Sequence, residues 1–265
     1  MPATEGSTNP ARVSEEPVTM TPGYFELSKR PLHVLAFLLP MVIACEIGSA
    51  LFLADESGQL TEAVSAYLRV VAFFETFGAF GLYLPGLAIV AVLAVQHLLA
   101  RDPWRVRLGV IGLMAAESAV LATPLLVLGA MLELAAAAAS DPGGAATILE
   151  GPWQQRLTVA LGAGLYEEFL FRMVLIAIVH LVLADLLKLG PGLAAAGCVL
   201  ASALAFAAYH DLASPAGGID LTRAAFFAMA GVFFAIVYLW RGFGIAVGVH
   251  VIYDVIVLLL VQPGG

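Results

Sequence analysis

Charge is what this sequence has least of. Asp, Glu, Lys and Arg make up 12% of its 265 residues while the AVILMFWYC set makes up 61%, and mean hydropathy is +0.96. Soluble domains run near 25% charged and about 45–50% apolar. A soluble globule of this size has no interior large enough to hide the excess, so the bilayer must be the solvent. Basic residues are scarcer still, 12 Lys+Arg against 20 Asp+Glu for a net charge of −8. That excludes the basic face with which a nucleic-acid binder neutralises phosphates. The only two cysteines, Cys45 and Cys198, lie in separate apolar runs. They form neither a disulfide framework nor a C-x-x-C metal pair and read as small packing residues. No repeat relates the two halves, which weighs against an inverted-repeat transporter.

What is present is a series of long apolar runs. A span needs about 20 apolar residues, and seven stretches qualify, at 32–54, 68–100, 107–138, 157–187, 192–212, 221–240 and 243–262. The expected fold is all-α, a polytopic transmembrane helix bundle of about seven spans. The second, third and fourth runs exceed one bilayer thickness, so each is expected to carry an interfacial turn or a tilt. Pro85 and Pro124 lie inside such runs and are expected to kink them. Residues 1–30, polar and holding Pro2, Pro10, Pro17 and Pro22, read as a mostly disordered cytosolic tail. They are too polar and acidic for a secretory n-region, and the apolar run after Lys29-Arg30 is too long for an h-region, so the chain is expected to begin with a span. Arg12, Lys29, Arg30, Arg101, Arg105, Arg107, Lys188 and Arg241 fall on one side of the bundle, against Arg69, Arg156 and Arg223 on the other. The positive-inside rule then places the N-terminus inside and the C-terminus outside. Small residues, Gly244 and Gly248 on the last span and Ala194, Ala201, Ala205 and Ala208 on the fifth, mark close helix packing.

Ionisable side chains near the bilayer centre cost about 2.5–3.5 kcal/mol each on insertion scales. Spans four, five and seven nevertheless carry Glu167, Glu168, Arg172, His210, His250 and Asp254, which implies a polar cavity between them. Glu168 and Arg172 are four apart, share a helix face and can pair. Glu167 points about one-third of a turn away and is left without that partner, the setting of a general base. Phe206 lies one turn before His210 and can pack beneath its imidazole. His250 and Asp254 are again four apart, so the carboxylate can fix the ring's tautomer or join it on a metal. Glu46, Glu75, Glu117, Glu133, His97 and His180, on or near other spans, read as inter-helix hydrogen-bonding, interfacial or cavity-lining residues without catalytic roles. The pairs Phe226-Phe227 and Phe233-Phe234 read as lipid-facing or core packing rather than a binding box.

Glu-Glu-x-x-x-Arg, Phe-x-x-x-His and His-x-x-x-Asn/Asp, in that order on separate spans, resemble the motifs of the CPBP family. These are the CAAX proteases and bacteriocin-processing enzymes, including the type II CAAX prenyl endopeptidase. The resemblance covers Glu167 to Asp254 and divides the chain into N-terminal transmembrane helices at 31–154 and a catalytic core at 155–262. It implies an intramembrane endopeptidase in which Glu167 and His210 activate the attacking water. His250 and Asp254 would stabilise the oxyanion, with Glu168 and Arg172 in support. The family is described both as zinc-dependent and as a metal-free glutamate protease. Glu167, His210, His250 and Asp254 form a legitimate zinc set, although no His-Glu-x-x-His helix is present. Asp254 departs from the commoner Asn, and an ionised carboxylate cannot donate to an oxyanion as an amide does. Either it is protonated, or it orients His250, or it ligates a metal; the last two fit a metal centre better.

The expected substrate is a membrane-associated protein or peptide in the bilayer. The Ala- and Gly-rich composition suggests a multi-pass protein of a prokaryotic plasma membrane, for which prenylated CAAX proteins are not the expected substrates. Two other classes compete. A proton-coupled transporter also uses intramembrane Glu, Asp and His, and a catalytically silent scaffold or immunity-type protein would keep the fold alone.

Overall fold

In lipid, an apolar run satisfies all of its own backbone N–H and C=O groups by coiling into a helix. The computed structural model describes residues 22–53, 65–76, 81, 83–139, 151–214 and 217–260, and among the described residues there are helices and no sheet. In chain order they are α1 (Tyr24–Leu27), α2 (Pro31–Leu53), α3 (Ser65–Thr76), α4 (Leu84–Ala100), α5 (Leu108–Ala139), α6 (Trp153–Leu186), α7 (Pro191–Tyr209), α8 (Leu221–Arg241) and α9 (Phe243–Leu260). Six are long and apolar enough to cross a membrane, and α4 is a shorter apolar helix. The chain is a multi-pass membrane protein.

Two boundaries differ from expectation. The run 68–100 is not one helix: α3 ends at Thr76 and α4 begins at Leu84. Pro85 therefore starts α4 instead of kinking a longer helix, because a first-turn residue needs no backbone N–H. Pro124 does lie inside α5. Most of the expected tail, residues 1–21, lies outside the described residues. Its last part is not free: Tyr24–Leu27 form α1, and Leu27 and Ser28 are buried.

At the centre stands α9, whose residues Phe243 to Val251 are all buried. Small residues make that possible. A side chain at Gly244 would meet Val34 of α2 and Met114 of α5, and one at Gly248 would meet Ser118 and Phe37. On another side, Gly164 of α6 lies directly against Val251. Gly242, at φ +89°, makes the sharp reversal from α8 into α9 that a residue with a Cβ would resist. Cys45 and Cys198 are free and buried, as expected of packing residues.

Candidate active site

Each polar motif is set by a local feature of its helix. In α6 the backbone widens into π-helical turns at Ala163–Glu167 and Phe169–Val174, a distortion that recurs at functional sites. Glu167, Glu168 and Arg172 all lie on this stretch. Helix α7 stops at Tyr209, and the His210 backbone is extended. The His210 Nδ1 lies 2.8 Å from the Phe206 carbonyl oxygen, an acceptor left without an N–H partner where the helix ends. A carbonyl only accepts, so Nδ1 carries the proton and Nε2 keeps its lone pair. Asp220 caps α8, accepting from the backbone N–H of Thr222 at 2.9 Å and of Arg223 at 3.0 Å.

These pieces converge. Glu167 Oε2 is 3.7 Å from His210 Nε2 and 4.0 Å from His250 Nε2. His250 Nδ1 bonds Glu168 Oε1 at 2.9 Å, and His250 Nε2 lies 3.5 Å from Asp254 Oδ2. The expected intrahelical pair is present, with Arg172 Nη1 3.2 Å from the same Glu168 oxygen. Thus Glu168, not Asp254, holds the outer nitrogen of His250, and Asp254 faces the nitrogen that looks into the cavity. A cavity of about 110 Å³ separates Glu167, His210, His250 and Asp254 from an apolar wall that includes Leu125, Phe226 and Tyr253. That is room for several waters. Burial pushes the His210 ring, just past the end of its span, down to about 4, so at neutral pH it is an acceptor.

His210 and His250 meet although their positions in spans five and seven place them toward opposite ends. Phe227 stacks on His210 (ring centroids 3.8 Å apart, planes at 19°), and Phe234 stacks on His250 (4.5 Å, 22°). Phe227 is six residues into α8, roughly 9 Å from its start. Helix α7 therefore ends inside the bundle, and His210 lies deeper than its place in the sequence suggests. Phe206 touches both imidazoles, with centroids 4.6 and 6.1 Å away.

The aromatic pairs of α8 join the core, as core packing predicts, and three of their four rings also border the cavity. Phe226, Phe227 and Phe234 all line the cavity. The available signal was the seven-residue spacing of Phe227 and Phe234, two helical turns on one face. The outlying acids and histidines are more ordinary. Glu46 accepts from Tyr166, Glu117 pairs with Arg241, and His180 is exposed beside Asp185. The Glu133 side chain lies outside the described residues.

Zinc sets a definite spacing for the facing donors. Tetrahedral ligands at bonds of about 2.0–2.1 Å stand roughly 3.3 Å apart, and here neighbouring donors are separated by 3.5 to 4.0 Å. Among the described residues no three such side chains are placed to hold a metal ion. As placed, these donors stand a few tenths of an ångström wider apart than zinc ligands do.

No curated protein and no solved structure matches the chain. Residues 150–256 match the family model described as type II CAAX prenyl endopeptidase Rce1-like. That segment contains all three polar motifs and the helices that bring them together, and the match supports the CPBP/CAAX protease family.

Proposed function

We propose that the protein hydrolyses a peptide bond of a membrane-associated protein or peptide, with Glu167 as general base. The observation that carries this is the convergence of Glu167 Oε2 and the Nε2 atoms of His210 and His250 on one buried cavity. A carboxylate and an imidazole lone pair 3.7 Å apart do not hydrogen-bond each other, but both accept from one water. Glu167 takes that water's proton as its oxygen attacks the scissile carbonyl. Held between the carboxylates of Glu168 and Asp254, a doubly protonated His250 ring would give Nδ1–H to Glu168 and Nε2–H to the oxyanion. Glu167 then returns the proton to the departing amine.

Zinc is the competing cofactor. Closure by about half an ångström would bring Glu167, His210 and His250 to ligand spacing. Loss of cleavage on chelation, restored by zinc, would replace the metal-free reading. The test of function itself compares new protein N-termini in membranes of cells making the wild type or Glu167→Gln. Termini present only with the wild type establish proteolysis and identify the substrate. Identical sets reject it in favour of a scaffold, and a flux lost with Glu167→Gln would indicate a transporter.

A further inference from the structure

The residue before the proposed base is itself tied down. Tyr166 is 1% exposed, and its hydroxyl donates to Glu46 Oε1 at 2.5 Å across the interface between α6 and α2. The Tyr67 ring of α3 packs edge-on against it, with centroids 5.1 Å apart. Room for the carboxylate comes from Gly86 of α4, where any Cβ would collide with Glu46 Oε1. Three N-terminal helices thus build a seat for one side chain of the catalytic helix, and all three lie outside the segment 150–256.

The seat matters because of the backbone it holds. Tyr166 is the fourth residue of the π-helical turn that ends at Glu167. A π turn gives up ordinary i→i+4 bonding, so the rotation of Glu167 about the α6 axis needs support from outside the helix. On one side Gly164 presses against Val251 of α9, and on another Gly48 of α2 presses against Thr158. Those contacts fix how closely the helices approach but not how α6 is rotated. A directed hydrogen bond from Tyr166, next to Glu167 in the chain, fixes both.

We infer that Glu46 is a positioning residue for the proposed reaction: through Tyr166 it sets the direction in which Glu167 faces His210 and His250. This rests on the hydrolytic reading above for its kinetic consequence, though not for its structural one. Misplacement of reacting groups by about 1 Å can cost up to about a hundredfold in rate. Tyr166→Phe and Glu46→Ala are each expected to lower kcat about tenfold with KM within twofold. Their combination should be no worse than either alone, because both break one link. Glu46→Gln, whose amide oxygen still accepts from the tyrosine, should retain kcat within about threefold. Hydrogen exchange of the solubilised protein is read alongside. Tyr166→Phe should speed exchange at least threefold over 160–170 and leave 243–255 unchanged.

A purely structural Glu46 would reduce the yield of folded protein while leaving kcat per folded molecule intact, and that result overturns the inference. So do additive losses in the double variant, or unchanged exchange over 160–170. The exchange arm needs no substrate. If the wild type cleaves nothing, the hydrolytic reading fails, and Glu46 is still judged by whether the π turn loosens.

Discussion

Two arginines are buried in this bundle, each beside a glutamate, and they are held in opposite ways. Arg241, at the end of α8, is held by hydrogen bonds at two of its three nitrogens, Nε and Nη2. Its Nε meets Glu117 Oε1 at 2.5 Å, and its Nη2 meets Glu117 Oε2 at 2.7 Å and Ser28 Oγ at 3.0 Å. Tyr24 also donates to Glu117, and the guanidinium lies 4.4 Å above the Phe25 ring. Arg172, beside the proposed base, has a single ionic contact, to a Glu168 oxygen that it shares with His250. None of its nitrogens makes a hydrogen bond among the described residues. Its guanidinium rests on Phe206 at 4.3 Å and Phe234 at 5.1 Å, the rings that also pack on the histidines. A charge paired at two nitrogens is a fastener, here clasping the end of α1 to the first half of α5 and the end of α8. A partly paired one still projects its field into the cavity, where negative charge develops during hydrolysis.

The comparison breaks most sharply at Arg172. Arg172→Met together with Glu168→Gln removes both charges and leaves no orphaned ion, and cleavage should fall about a hundredfold or more while the folded yield holds. Wild-type cleavage by that pair of substitutions would reduce Arg172 to a second fastener. Arg241→Met should do the reverse. Stranding Glu117 is expected to cost about 3–5 kcal/mol of stability, seen as a lower unfolding midpoint, with cleavage per folded molecule unchanged. If the two variants behave alike, the distinction is lost.

Asp254→Asn probes the looser site at finer grain. An amide beside His250 Nε2 can donate to an oxyanion, so cleavage within about threefold of wild type is expected of a residue that faces it. Near-complete loss in the same assay would assign Asp254 another role.

The smallest effect is in pH. Burial holds the His210 ring down to about 4 from an ordinary 6.5, so it stays neutral until the pH falls through that value. Its contribution to stability is complete above about 6.5 and is lost between 6.5 and 4. Burial, and then Glu117, push Tyr24 the other way, up to about 12. The clasp's contribution is therefore present below about 10 and lost only as the pH rises from 10 to 12. The His210 imidazole signals in an NMR pH titration are expected to remain those of the neutral ring from pH 8 to about 5 and to change below it. A midpoint near 6.5 would mean that His210 is solvated and its Nε2 is not the fixed acceptor described.

The polar motifs were legible because Glu167, Glu168, Arg172, His210, His250 and Asp254 interrupt apolar runs, where a charge demands an explanation. The Glu168–Arg172 pair followed from helical spacing, and the packing of α9 from Gly244 and Gly248. What was not legible depends on which helices become neighbours. The break between α3 and α4 was signalled only locally, by Gly78, Gly81 and the first-turn Pro85. Glu168 reaches His250 across 82 positions, and Arg241 reaches Glu117 across 124; local periodicity carries no information on either. That Phe227 and Phe234 border a cavity is not visible until α7 is seen to stop beside them.

That early stop bears on how the reaction is supplied. Hydrolysis consumes one water per bond cut, and hydrocarbon holds almost none. Backbone that leaves the helix at His210 must meet protein or water, and Asp220 N donates to Leu212 O at 2.8 Å. His210 and Asp254, with side chains 19% and 17% exposed, border the cavity more openly than Glu167 at 6%. On the hydrolytic reading proposed above, the end of α7 is therefore the side from which water can reach the site.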